Sequence, residues 1–258
     1  MLNAILNSKS GRLNAADEQS IRWRDLFRGS EDLVTSTIFE RLSYLPALTA
    51  WSLLAVAAGG QLTAYRMADL AEMEFWPFWD ADDRVRGVEP DVFIRIELGD
   101  PGRSVQIIVE AKHDGDQSAG QLRVELHAWY QAVSSGVIDL PDQLIVMAIG
   151  GLPAPHRRQQ FKSELAAAVE AIEGLVADVD LVLVDWADLA RAIALHLPGS
   201  GHEERIIKDM RKALDLYGYH HIVEPLQLER LIAQRPINPG LTHILMKMNK
   251  TAMEAQKA

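Results

Sequence analysis

The sequence contains no cysteine, so the chain can form neither disulfide bonds nor thiolate metal sites. This absence favours the reducing environment of the cytoplasm. Long hydrophobic runs are also missing. Residues 1–20 lack the apolar stretch of a signal peptide, and the most apolar segment, ALTAWSLLAVAAGG (47–60), is too short to span a bilayer. We therefore expect a soluble cytoplasmic protein with no membrane association.

Positive charge is scarce. The chain has 26 Lys and Arg against 36 Asp and Glu, a net charge of −10, which argues against a protein that coats nucleic acid with a basic surface. Residues 61–120 carry 13 acidic and 6 basic side chains, whereas residues 201–258 carry 7 and 9. An acidic middle is what a divalent-metal site needs, although solvated acidic loops give the same count. The segment GSG near residue 199 lacks the P-loop pattern, so no nucleotide triphosphatase is indicated.

A chain of 258 residues, 48% of them hydrophobic, can bury a substantial core. We predict an irregular or loosely helical N-terminal arm (1–29), an α/β domain (30–198) and a helical C-terminal extension (199–258). The predicted helices lie at 30–45, 47–58, 118–134, 157–173 and 187–196, and the predicted strands at 73–80, 91–98, 104–112, 143–151 and 179–186. Helix, three strands, helix and strand in this order predict a mixed sheet flanked by helices.

The segment VQIIVEAKHDGDQSAGQL (105–122) ends an apolar strand with Glu110 and Lys112, whose side chains leave the same face of the sheet. LGDPGR (98–103) predicts a tight turn before this strand, so that paired residue numbers sum to about 201. Asp91 then lies beside Glu110. Two carboxylates can hold Mg²⁺, and a neighbouring lysine can orient water or stabilise phosphate charge. The alternative is that Glu-x-Lys is a solvated ion pair of little energetic consequence.

Other candidate groups have simpler explanations. YHH (219–221) has no third metal ligand at a suitable spacing, and HRRQQFK (156–162) is typical of a solvated helix face, although it could contact phosphates. His113 is expected to point away from Lys112 and to be peripheral. The four tryptophans in apolar patterns are expected in the core rather than as base-stacking platforms; they are Trp76, Trp79, Trp129 and Trp186.

The segments EPDVFIRI (89–96) and VQIIVEAK (105–112), in this order of elements, resemble the PD-(D/E)xK nuclease superfamily over roughly residues 30–150. The resemblance implies a restriction-endonuclease-like fold with an α-β-β-β-α-β core. It also implies hydrolysis of DNA phosphodiesters with Mg²⁺ or Mn²⁺, in bacterial defence against phage and mobile elements or in repair. Asp91 and Glu110 would be metal ligands, and Lys112 would position the attacking water.

Members of this family often add a glutamate from the first helix and a glutamine from the helix after the lysine strand. Glu31 lies in line with the apolar stripe of its helix and Glu40 does not, so Glu31 is the predicted third metal ligand. Gln121 is the predicted glutamine and Gln117 the alternative. Capping would also explain Gln121, because it follows Ser118 by three residues.

A second hypothesis from another class is a nuclease-fold component that binds nucleic acid or a partner protein without cutting. The acidic net charge favours it. In that case the C-terminal helices would dock the partner or form a homodimer.

Overall fold

The computed structural model describes residues 12–14, 20–80, 87–172 and 177–220. The helices in these residues are Trp23–Arg28 (α1), Glu31–Ser43 (α2), Ala47–Ala57 (α3), Ala119–Ser134 (α4), Pro155–Glu170 (α5), Trp186–Leu195 (α6) and Gly201–Leu216 (α7). The strands are Arg12–Asn14 (β1), Ser20–Arg22 (β2), Ala68–Phe75 (β3), Val92–Leu98 (β4), Arg103–Ala111 (β5), Gln143–Ile149 (β6) and Asp178–Val184 (β7).

Strands β3 to β7 form one five-stranded sheet in sequence order. The β3–β4 and β4–β5 pairs are antiparallel, whereas β5–β6 and β6–β7 are parallel and are connected through α4 and α5. The predicted α/β class with a mixed, helix-flanked sheet is therefore confirmed. The β4–β5 register pairs Val92 with Val109 and Leu98 with Arg103, as the predicted sum of 201 requires.

Helices cover both faces of this sheet. Side chains from α2, α3, α6 and α7 form one core with alternate residues of the strands, such as Val109 and Met147. Side chains from α4 and α5 form the second core with the intervening residues, such as Ile108 and Val146. Strands buried on both faces are continuously apolar, which explains the runs IIV in β5 and LIVMAI in β6.

Three predicted segments have more structure, or other limits, than the sequence indicated. The arm 1–29 contains the antiparallel pair β1–β2 and helix α1. Strand β3 starts at Ala68 and ends before Pro77, because proline has no N–H to donate to a sheet. Helix α7, which belongs to the predicted C-terminal extension, packs into the first core. The rest of the predicted C-terminal extension, residues 221–258, lies outside the described residues.

Across the described ranges, none of the helices is both long enough and apolar enough to cross a bilayer.

Candidate functional site

Two carboxylates lie side by side where β4 begins and β5 ends. The Asp91 side chain accepts a hydrogen bond from the backbone N–H of Ala111 at 2.7 Å, which fixes it beside the end of β5. Asp91 is 8% exposed and Glu110 only 2% exposed. The register of the hairpin therefore brings together residues that are 19 positions apart in the sequence.

The ammonium group of Lys112 lies between two carboxylates. Its Nζ donates hydrogen bonds to Glu110 Oε1 and, at 3.1 Å, to Glu31 Oε1. Glu110 and Lys112 project from the same side of the strand end, as the two-residue period of a strand predicts. Lys112 thus links the strand end to the first residue of α2.

Glu31 is held at the site by both of its oxygens. Oε1 accepts from Lys112, and Oε2 accepts from the backbone N–H of His113 at 2.7 Å. Helix α2 packs its stripe, including Val34 and Ile38, against the sheet, so its first residue faces the strand ends. The alternative acid, Glu40, is exposed and hydrogen-bonds to Tyr44 at 2.8 Å. The structure brings Glu31, and not Glu40, to Lys112.

Both glutamines considered from the sequence contact Glu110, in different ways. Gln121 Nε2 donates to the Glu110 carboxylate at 2.6 Å, while its backbone N–H is capped by the Ser118 side chain at 3.4 Å. Gln117 Nε2 donates to the backbone carbonyl of Glu110 at 3.0 Å. Gln121 therefore orients the side chain, and Gln117 supports the end of β5.

Glu125 is a site residue that the sequence did not reveal. It lies one helical turn after Gln121, is 1% exposed and is buried against Glu110. Within the part of the chain that the structure describes, its Oε2 atom has no hydrogen-bond partner. Its spacing of four residues from Gln121, which puts both side chains on one helix face, is the signal that could have indicated it.

The buried carboxylates have shifted pKa values. Burial, reinforced by the charge of Glu110, raises the pKa of Asp91 to about 7. Burial also raises the pKa of Glu110, although hydrogen bonding and charge from Lys112 oppose this. Burial and the Glu110 charge raise the pKa of Glu125 to about 9. Burial alone would lower the pKa of Lys112, but its bonds to Glu110 and Glu31 outweigh this and raise it. Negative charge is thus in excess here.

Two glycines allow the end of β6 to approach the segment that follows Lys112. Gly150 and Gly151 both have positive φ angles, +68° and +58°. A side chain at Gly150 would overlap the Lys112 carbonyl oxygen and the Trp186 ring. The Trp186 indole N–H instead donates to this carbonyl at 3.0 Å, and Gln117 N–H donates to the Gly151 carbonyl at 2.8 Å. These contacts fix the backbone that carries Lys112.

His113 is more closely connected to the site than expected. Its backbone N–H binds Glu31, and its ring Nδ1 is hydrogen-bonded to the Tyr219 hydroxyl at 2.6 Å. The ring also packs edge-on against Tyr217, with centroids 5.0 Å apart. The residues that follow α7 therefore support the site from 106 positions away in the sequence.

The three carboxylates expected to bind one metal ion, those of Asp91, Glu110 and Glu31, do not form a single ligand set in the described residues. In residues 12–14, 20–80, 87–172 and 177–220, no three His, Asp or Glu side chains are placed so that they could hold one metal ion. Both oxygens of Glu31 are occupied by Lys112 and His113, which leaves Asp91 and Glu110 as the neighbouring carboxylate pair.

The basic run 156–162 is largely a helix surface, as expected. Arg158 pairs with Asp185 at 2.8 Å, and Lys162 donates to Gln61 at 2.6 Å. Among the tryptophans predicted in the core, Trp79, Trp129 and Trp186 are buried. Trp76 is not: it is 41% exposed, because the chain leaves β3 at this residue with a positive φ angle.

Comparison with known proteins gives one informative similarity. The chain is 29% identical over 231 residues to the uncharacterized protein PM0110 of Pasteurella multocida (strain Pm70), which covers 86% of this chain and 81% of that protein. No family model and no solved structure matches the chain.

Proposed function

We propose that this chain is a Mg²⁺-dependent nuclease of the restriction-endonuclease-like fold that hydrolyses phosphodiester bonds in DNA. The observation that carries the proposal is the position of Lys112, whose ammonium joins Glu110 and Glu31 next to the buried Asp91. Asp91, Glu110 and Lys112 are also the residues on which the resemblance to PD-(D/E)xK nucleases depends. A role in bacterial defence or repair follows from that resemblance alone.

The donor set fits a divalent cation. Asp91 and Glu110 offer carboxylate oxygens, and Mg²⁺ is commonly held by one or two carboxylates while keeping several waters. Burial raises both pKa values, and the charge of Glu110 raises that of Asp91 further, so a bound cation would stabilise the ionised forms of both carboxylates. When bound, Mg²⁺ lowers the pKa of a coordinated water and neutralises charge on the phosphodiester; Mn²⁺ supplies the same chemistry.

The side chains around this pair have separate roles in the proposal. Lys112 hydrogen-bonds the attacking water and the phosphate oxygens as they gain negative charge. Glu31 and Gln121 are positioning residues: Glu31 holds the ammonium of Lys112, and Gln121 holds the carboxylate of Glu110. Hydrolysis forms a bond between the water oxygen and phosphorus, breaks the bond to one ester oxygen, and leaves that oxygen protonated as a hydroxyl.

The test is cleavage of supercoiled plasmid and single-stranded DNA in Mg²⁺ and in Mn²⁺, with EDTA as the metal-free control. Replacement of one preorganised charge-stabilising group costs about 10²–10³ in rate, so Lys112→Ala should lose detectable cutting. The matched control is Lys162→Ala, because Lys162 is a partly buried lysine that donates to Gln61 on another surface. Equal cutting by wild type and Lys112→Ala would refute the proposal.

A second candidate function is favoured by the net charge of −10 and by the occupied oxygens of Glu31. In this candidate the chain binds nucleic acid or a partner protein without cutting, and the C-terminal segment docks the partner or a second copy. Titration calorimetry with Mn²⁺ separates the two candidates. Binding that is lost in Asp91→Asn supports the nuclease, and no binding at millimolar Mn²⁺ supports the non-catalytic component.

A further inference from the structure

Two large aromatic side chains stand exposed directly after β3. Trp76 is 41% exposed and Phe78 is 61% exposed, while Pro77 between them is buried. Trp76 has a φ angle of +50°, which is unfavourable for any residue with a bulky side chain. Its ring contacts the Phe75 ring, with centroids 5.8 Å apart, but the indole is not buried in the core. Strain retained at an exposed position is characteristic of binding and active sites.

The aromatic segment is attached to the candidate site through its backbone. Trp76 N–H donates to the Asp91 carbonyl at 3.1 Å. Trp79 and Val88 exchange two backbone hydrogen bonds of 2.9 and 2.8 Å. Phe78 lies against Gly87 so closely that a Cβ at Gly87 would overlap its ring. Residues 76–79 therefore run beside residues 87–91, which lead into the catalytic strand β4.

A cavity of about 310 Å³ adjoins this segment. Its wall consists of Gly87, Val88, Glu89, Gly120, Gln121, Val124 and Glu125. Gln121 holds the Glu110 carboxylate, so one wall of the cavity is shared with the site. Glu125 is buried, and its Oε2 atom has no hydrogen-bond partner within the described residues. The wall of the cavity thus combines the aliphatic side chains of Val88 and Val124 with polar side chains, and its volume admits a planar nucleobase.

We propose that Trp76 and Phe78 stack against unpaired bases of single-stranded DNA and that the adjoining cavity receives one base beside the scissile phosphate. This inference rests on the proposed nuclease function and deepens it by naming the substrate form. Every nucleobase has an apolar face, so stacking binds a strand without sequence preference. Duplex DNA hides these faces inside its base stack, so exposed aromatic side chains have no base to stack on.

Binding is tested separately from cleavage, with fluorescence anisotropy of labelled oligo(dT) and of a mixed-sequence duplex in EDTA. Loss of one stacking aromatic weakens binding by about 5- to 150-fold, and we expect a loss in this range for Trp76→Ala and for Phe78→Ala on oligo(dT) only. Trp76→Phe keeps a stacking ring and should retain most of the affinity. The control is Tyr44→Ala, since Tyr44 is 55% exposed and follows the other end of α2, about 20 Å from Glu31. Circular dichroism verifies that each variant is folded.

The same variants are then assayed for cleavage of oligo(dT) in Mg²⁺, where KM should rise with little change in kcat. If wild type cuts oligo(dT), and Trp76→Ala and Phe78→Ala bind and cut it with unchanged affinity and KM, the stacking inference is wrong. The proposed nuclease function would still stand. Binding that depends on both aromatics without cutting supports the inference and refutes the nuclease. Failure of wild type to bind oligo(dT), or equal affinity for the duplex, also overturns the inference.

Discussion

The charged side chains at the two ends of the central sheet differ in their exposure to water. At the hairpin end, Arg103 pairs with Asp178 at 2.5 Å, and these side chains are 37% and 76% exposed. At the other end, Glu110 is 2% exposed and pairs with Lys112. A solvated pair contributes about 0–1 kcal/mol to stability, whereas buried charges lose hydration that their partners only partly replace.

This difference separates charges that contribute little to stability from charges whose burial costs free energy. The hairpin end could lose its ion pair with little effect. The opposite end holds Asp91, Glu110 and Glu125 out of water around one ammonium, and their raised pKa values reflect the free energy that this arrangement costs. Such local conflict with an otherwise apolar core is expected at functional sites.

The largest expected contrast is between Lys112→Ala and Arg103→Ala. Removal of Lys112 leaves the buried Glu110 without its cation, so we expect a loss of unfolding free energy near the lower end of about 3–5 kcal/mol. Removal of Arg103 should cost about 0–1 kcal/mol. Urea unfolding at pH 7 in EDTA measures both. Similar losses in the two variants would show that the buried pair and the exposed pair contribute equally to stability.

The strand pairing that forms the candidate site could be predicted from the sequence. Apolar β-branched runs on either side of LGDPGR predict the β4–β5 pairing, and its register then places Asp91 beside Glu110. The helical stripe correctly indicated that Glu31, rather than Glu40, faces the strand ends. These inferences succeeded because they depend on local periodicity and on one short turn.

Other parts of the site could not be predicted, for physical reasons. A glutamate within an amphipathic helix is usually solvated, so the burial of Glu125 depends on how α4 packs on the sheet. The contact between His113 and Tyr219 joins distant segments that no local pattern relates. Trp76 is a large apolar residue in an apolar segment, so the sequence predicts it in the core. Its positive φ angle, which no local pattern predicts, directs it outward.

A second contrast compares a glycine directly after β6 with a glycine in the connection between α4 and β6. Gly150 follows β6 at the site, has φ +68° and leaves no room for a Cβ; Gly136 precedes β6, has φ +75° and has open space around it. Gly150→Ala therefore combines backbone strain with overlap, and we expect about 2–4 kcal/mol of destabilisation. Gly136→Ala incurs only the strain, about 1–2 kcal/mol. Thermal unfolding of both variants tests this, and an equal shift in Tm would contradict the close approach at Gly150.

A third contrast concerns two buried glutamates and appears in the pH dependence of stability. Glu203 accepts hydrogen bonds from Thr49 at 3.0 Å and from the Gly199 N–H, and its carboxylate lies 3.0 Å from the His196 ring. Burial alone would raise the pKa of Glu203, but these bonds outweigh it and lower the pKa. Burial and the charge of Glu110 instead raise the pKa of Glu125 to about 9.

The two pKa shifts predict that stability changes with pH in opposite directions. An acid with a raised pKa in the folded state contributes stability below its unfolded pKa of 4.5 and loses it as the pH rises towards 9, by at most about 1.4 kcal/mol per pH unit. Glu125→Gln should remove this decline, so its advantage over wild type grows between pH 5 and 9, as measured by urea unfolding in EDTA. Glu203→Gln should be less stable than wild type at neutral pH, with a deficit that shrinks as acid protonates Glu203. Parallel pH profiles for wild type and Glu125→Gln would mean that Glu125 is solvated in solution and ionises as an ordinary glutamate, so that it is not buried against Glu110.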